Sequence, residues 1–416
     1  MWKRWRIRIL LFLAVLGPGF ITANVDNDSG GILTYSQAGA QYGYTLLWMM
    51  IPITLALIVT QEMCARMGVV TGKGLSDLIR EEFGLRLTFF LMVGLVIVNY
   101  TNIVTEFIGI AGSLQLFHVS RFISVPICAI LVWLLVVRGN YKTTEKIFLI
   151  ASVVYIAYIF AGVLSQPSWH DAIKATITLP KASVWRDKAY LYMAIGIVGT
   201  TIAPWMQFYL QSSIVEKGIR VKDYAASRLD VVVGSFFTDI VAWFIVVACA
   251  ATLYVHGMGE IRVASDAAEA MRPLAGDYAF ILFAFGLFNA SLFAASILPL
   301  STAYTVCEGM GFESGVDKSF KEAPLFYWLY TLLIAGGAVT VLILPGSQLI
   351  NFAVLSQVLN GVLLPVVIIL MLLLINRRDL MGEHKNSRLF NIIAWTTSII
   401  VIVMTLVMLW SMIPGN

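Results

Sequence analysis

The run Asp26, Asn27, Asp28, Ser29, Gly30, Gly31 places two carboxylates, an amide, a hydroxyl and two glycines in consecutive positions of an otherwise apolar stretch. An aspartate near the centre of a bilayer costs roughly 3 kcal/mol on insertion scales, so it faces a cavity, a partner or an ion. Asp28 is the leading ion ligand by this argument. Asp26 and Asn27 either share its ligand shell or cap the helix ends that such a break creates. Further along, Glu106 and Asp239 are acids within apolar spans and have no evident Lys or Arg partner there. They read as groups lining an aqueous path or binding protons or ions, or else as protonated structural acids. Glu62 lies close enough to a span end to reach water.

Other chemistries find little support. The four histidines, His118, His170, His256 and His384, all fall between spans, so no imidazole is available as a membrane-embedded proton relay. Cys64, Cys128, Cys249 and Cys307 show neither disulfide spacing nor thiolate metal spacing. No hydrolytic triad, zinc-protease pair or phosphate-cradling loop is present, so an enzyme is not indicated and no cofactor is expected.

The elements that must hold these residues are membrane helices. Hydrophobic residues make up 59% of the 416 positions and charged residues 12%, with a mean hydropathy of +0.85. A soluble domain carries roughly 25% charged residues. Apolar stretches long enough to cross a hydrocarbon core of about 30 Å recur along the chain, and only helices satisfy their own backbone there without closing a barrel. The reading is eleven spans, approximately 8–40 (interrupted), 44–66, 87–117, 122–138, 145–165, 189–215, 230–254, 278–306, 325–345, 347–375 and 389–412. The basic start, Met1 to Arg8, reads as the lead into an uncleaved first span.

With the N-terminus inside, three-quarters of the 28 Lys and Arg fall on the inner side, which also places the C-terminus outside. The net charge of +4 therefore reports topology in a multi-pass cytoplasmic-membrane protein, not a nucleic-acid partner. The partners implied are a bound ion and the lipid bilayer, and no oligomer is required.

Two spans are interrupted. The first is expected to unwind along 26–31, where polar side chains and glycines disfavour helix. The sixth carries Gly199, Thr200, Thr201, Ile202, Ala203, Pro204, in which the proline removes an amide donor. Breaks five spans apart, each in the first helix of a five-helix set, point to an inverted repeat with substrate held between its halves. The corresponding division is 1–165 for helices 1–5, 189–375 for helices 6–10, and 389–416 for the eleventh helix and C-terminus, all within one transmembrane domain.

Several segments, in order, resemble the Nramp family of divalent-metal transporters, and its divergent magnesium-transporting branch in particular: Gly17-Pro18-Gly19-Phe20, the acidic break, Gln37 to Tyr44 (QAGAQYGY), 66–74 (RMGVVTGKG), Glu106 to Gly109 (EFIG), Leu355 to Val358 (LSQV), and Arg378 to Glu383 (RDLMGE) with Asn391. The resemblance implies an all-α LeuT-like fold of two inverted five-helix repeats plus an eleventh helix. It also implies a metal site in which Asp28 is the charged ligand, Val25 and Thr200 supply backbone carbonyls, and Gln357 supplies an amide oxygen. The family's Asp-Pro-Gly-Asn motif reads Asp28-Ser29-Gly30-Gly31 here, and its Met-Pro-His reads Ala203-Pro204-Trp205. The amide and thioether ligands are thus gone. Gly31 and Ala203 become space-makers, and Trp205 either walls the cavity or simply packs. A soft thioether favours transition metals, whereas oxygen donors and water suit Mg2+ and Mn2+.

Glu106 matches the family's acid, but the aspartate expected three residues earlier is Ile103. The implied activity is import of Mg2+ and Mn2+ by alternating access without proton coupling, with Asp239 as a candidate substitute proton site. The competing readings are a proton-coupled Mn2+ or Fe2+ importer and a sodium-coupled amino-acid transporter of the same fold. An acid at the break disfavours a substrate carboxylate there.

Overall fold

A computed structural model describes residues 17–138, 155–257, 259, 261, 264–316 and 318–411. The expected start of the first span before Gly17 and of the fifth span before Tyr155 lies outside these residues. The described chain is almost entirely helical. The first span is α1 (Pro18–Asn24) and α2 (Ser29–Tyr42), and the rest of the first five-helix set is α3 (Met50–Thr71), α5 (Leu85–Gln115), α6 (Arg121–Val137) and α7 (Ile156–Leu164). The sixth span is α9 (Lys188–Thr201) and α10 (Pro204–Glu216). It is followed by α11 (Tyr224–Cys249), α12 (Ala264–Met310), α13 (Pro324–Ile343), α14 (Leu349–Ile375) and, as the eleventh helix, α16 (Arg388–Ser411).

Three departures from the sequence reading have physical causes. The second membrane helix begins at Met50, because Gly43–Met49 forms a 3-10 segment; its Leu46, Leu47 and Met49 are buried and apolar like the helix that follows, so hydropathy does not separate the two. α12 is kinked at Gly276 (φ 79°, ψ 173°), which sets its membrane portion apart from the residues before it. Finally, segments expected as loops include short helices: α4 (Leu75–Phe83), α8 (Trp169–Ile177) and α15 (Arg378–Met381). α4 buries Leu75, Leu78 and Ile79 on one side and ion-pairs Asp77 with Arg80 at 3.0 Å. The preceding α3 stops at Gly72, whose left-handed φ of 65° lets the chain turn.

The broken helices lie in the middle of the bundle. α11 packs on α1, α2 and α3; α5 runs along α12; α9 runs along α14. The outward faces are apolar, with Phe90, Phe122, Leu332 and Ile392 exposed to where lipid belongs.

Candidate cation site

The first break is shorter than the sequence suggests. α1 ends at Asn24, Val25–Asn27 make one 3-10 turn, and Asp28 is extended at ψ −178° before α2 resumes at Ser29. Gly30 and Gly31 are therefore already helical, which corrects the expectation of unwinding through residue 31. Asp28 is the N-cap: its Oδ1 accepts the Gly31 N–H at 2.7 Å, so a carboxylate satisfies a donor that the helix itself leaves unpaired.

The glycines serve a close approach instead. A Cβ on Gly31 would run into the Asp26 carbonyl oxygen, and one on Gly30 into the Gln357 amide nitrogen.

The second break is sharper. α9 ends at Thr201, Ile202 leaves helical geometry (φ −122°, ψ 61°), and Ala203 is extended (φ −69°, ψ 140°). Pro204 is the first residue of α10, where its missing N–H costs nothing and its fixed φ starts a helix. Ends of α1 and α9 thus bring carbonyl groups and partial negative charge to the same region. Val25 O is used by the Asp28 N–H at 2.9 Å and retains its second lone pair. Thr200, 2% exposed, stands in the last turn of α9, with its Oγ1 buried and unpartnered.

Glu106, fully buried on α5, joins this site. Its Oε2 accepts the Ser29 N–H at 3.1 Å, its Oε1 has no hydrogen-bond partner, and its carboxyl lies within electrostatic reach of that of Asp28. Ser29 Oγ donates to Thr105 O at 2.6 Å, which pins the start of α2 to α5. Gln357 approaches from α14, but its Oε1 accepts from Asn360 Nδ2 at 2.9 Å and its Nε2 donates weakly toward Asn102 Oδ1 at 3.4 Å. Ala203 is 2% exposed; Trp205 is 1% exposed, tilted against Tyr209 with ring centroids 6.2 Å apart.

Asn27 is turned toward α11: its Nδ2 donates to Thr238 O at 3.0 Å and to Thr238 Oγ1 at 2.6 Å. Asp239 follows on α11, 5% exposed, with neither carboxylate oxygen hydrogen-bonded. Among the described residues, no three His, Cys, Asp or Glu come together as a metal cluster. A bound ion must therefore draw on carbonyls, amides and water as well as carboxylates.

Several contributors escaped sequence reading. Asp230 is buried at the start of α11 and accepts three backbone N–H groups, from Gly17 at 2.8 Å, Gly19 at 2.7 Å and Phe20 at 3.1 Å. Its only sequence signal was an acid at a span edge. Asn102, Ser356 and Asn360 form the network behind Gln357, with Ser356 Oγ donating to Asn102 Oδ1 at 2.5 Å and the two asparagines paired at 3.0 Å in both directions. Asn102 and Asn360 are uncharged and so do not stand out in hydropathy.

Glu62 does not reach water: it is 1% exposed, pairs with Arg66 at 2.9 Å and accepts from the Tyr224 hydroxyl.

Residues 19–411 match the family described as natural resistance-associated macrophage protein-like. The divalent metal cation transporter MntH of Deinococcus radiodurans is 27% identical over 98% of this chain and 91% of its own length; that of a Nostoc species is 28% identical over 94% and 89%. Among solved structures, the Eremococcus coleocola manganese transporter superposes with a TM-score of 0.77 at 24% identity, covering 95% of this chain and 86% of that one. A nucleobase-cation-symport-1 family transporter shares the fold more distantly, with a TM-score of 0.57 at 13% identity. With a family match that runs nearly end to end and helix breaks at the two places where a LeuT-like fold of inverted repeats requires them, this multi-pass membrane protein belongs to the Nramp family.

Proposed function

We propose that the chain is an importer of hard divalent cations, Mg2+ and Mn2+, working by alternating access between two inverted repeats, 1–165 and 189–375, with the N-terminus inside and the C-terminus outside. It is a carrier, not an enzyme, and needs no cofactor. The observation that carries this reading is the donor set at the paired breaks. Asp28, the carbonyls of Val25 and Thr200, and the Gln357 amide are all oxygen donors, while positions 31 and 203 hold glycine and alanine. Such a set suits an ion that prefers oxygen and keeps part of its water. Gln357 must release Asn360 or rotate its amide to offer Oε1.

Transport is driven by the membrane potential, because two positive charges moving inward gain about 4.6 kcal/mol per 100 mV. A second reading has its own support: MntH and the manganese transporter named above carry divalent metals or manganese, and the two buried acids Asp28 and Glu106 lie within electrostatic reach of each other, which suits a shared proton. That reading is proton-coupled Mn2+ import.

Proteoliposomes with an ion dye and an internal pH dye separate the two. An inside-negative potential should drive Mg2+ uptake without internal acidification, and Asp28→Asn should abolish it while keeping the helix cap. Uptake of Mn2+ but not Mg2+, accompanied by acidification, overturns the first reading in favour of the second.

A further inference from the structure

The break in the first span carries a second pair of acids that the site at Asp28 does not use. Asp26 is 2% exposed and Asp239 5%, and none of their four carboxylate oxygens has a hydrogen-bond partner. The two side chains are within electrostatic reach of each other. Next door, the Asn27 side chain ties the 3-10 turn to α11, its Nδ2 donating to both oxygens of Thr238. Those bonds leave Asn27 Oδ1, on a side chain with no exposed surface, buried without a donor.

Asp239 also borders an open apolar groove between α3 and α11, where Ile51 and Phe236 are exposed on the outward face and Thr54 is the other polar residue. Among the described residues neither acid is ion-paired with Lys or Arg.

Two ionised carboxylates in a membrane interior are stable only against compensating positive charge. We infer that Asp26 and Asp239, with Asn27 Oδ1, form a second binding site for a hard divalent cation, separate from the one at Asp28. A divalent ion cancels the pair's charge, whereas an alkali cation leaves one negative charge buried. The donors, four carboxylate oxygens and one amide oxygen, are all of the hard type such an ion prefers.

Charge balances across the whole break in the same way, since Asp28 with Glu106 faces one ion and Asp26 with Asp239 the other. This inference rests on the reading of the chain as a divalent-cation carrier and adds an ion to it.

The test is Mn2+ binding to the purified full chain, counted by equilibrium dialysis and followed by electron paramagnetic resonance. Wild type is expected to hold two Mn2+ per chain, with the dipolar broadening of ions in neighbouring sites. Asp28→Asn, Asp26→Asn and Asp239→Asn should each hold one and lose the broadening. These near-isosteric changes preserve packing, and the agreement of two variants on the second site guards against a local folding effect. One ion in wild type that disappears in Asp28→Asn but survives in Asp239→Asn overturns the second site and leaves the first intact. One ion that survives in Asp28→Asn but disappears in Asp239→Asn and Asp26→Asn overturns the assignment of Asp28 instead.

Discussion

Asp28 caps α2 through Oδ1, which leaves its second carboxylate oxygen outside that bond, and the buried Glu106 carboxyl lies within electrostatic reach. The two glycines after it differ in what they tolerate. A methyl group at position 31 would meet the Asp26 backbone carbonyl, which cannot move without reshaping the break. At position 30 it would meet the end of the Gln357 side chain, which can rotate. Gly31→Ala is therefore expected to cost about 1 to 3 kcal/mol of stability, in the range of overpacked sites, with transport lost. Gly30→Ala should be milder in thermal unfolding but should weaken ion binding through Gln357. Equal effects of the two on unfolding temperature would contradict this account. At this scale the sequence made Asp26 and Asp28 conspicuous, because acids in an apolar stretch stand out, and the structure adds that Asp28 caps α2. The role of the glycines was not: composition says that glycine disfavours helix, and only the packing shows a carbonyl lying where a Cβ would go.

Each broken helix is held by residues from other elements. α1 has seven residues, too few to be stable alone, and its first N–H groups are satisfied by Asp230 of α11. Charge-assisted hydrogen bonds contribute about 1.5 to 3 kcal/mol each where they are well made. Asp230→Asn should accordingly raise amide hydrogen exchange across residues 18–24 by at least tenfold relative to α14, while leaving α2 unchanged. Unaltered exchange in that segment would show that α1 is held by its apolar contacts alone. Pro204 illustrates a signal read correctly for position but not for cause. It marks the second break, yet it sits at the first residue of α10, where it favours the helix that follows. Sequence shows that a proline interrupts a pattern; whether it ends one helix or begins the next depends on which residues around it are extended, here Ile202 and Ala203.

Across the whole molecule, a buried polar knot ties distant parts of the chain. Arg66 pairs with Glu62 and donates to Asn386 Oδ1 at 2.5 Å and to the carbonyls of His384 and Lys385 at 3.0 and 3.3 Å, while Tyr224 donates to Glu62. It joins α3, the start of α11 and the segment before α16. Removing one partner of a buried pair typically costs about 3 to 5 kcal/mol because the other charge is left uncompensated. Arg66→Met is expected to lose about that much in denaturant unfolding, with Glu62→Gln in the Arg66→Met background recovering part of it. No recovery in the double variant would mean that the contacts to residues 384–386, not the ion pair, carry the effect. Glu62 and Arg66 stand four apart on one helix, a spacing that offered the signal, but a charge near a span end reads equally well as solvated. The sequence by itself determined that this chain crosses a membrane many times, that it does so by helices, and that its first and sixth spans are interrupted, because hydropathy, charge placement and helix-breaking residues act locally. Only the tertiary structure decided which groups meet: that Glu106 comes within electrostatic reach of Asp28, that Gln357 lies against Gly30, that Asp230 caps α1 and that Asn27 bonds Thr238 next to Asp239. Those partners come from helices far apart in the chain, and their approach is set by how the helices pack, which no local pattern encodes.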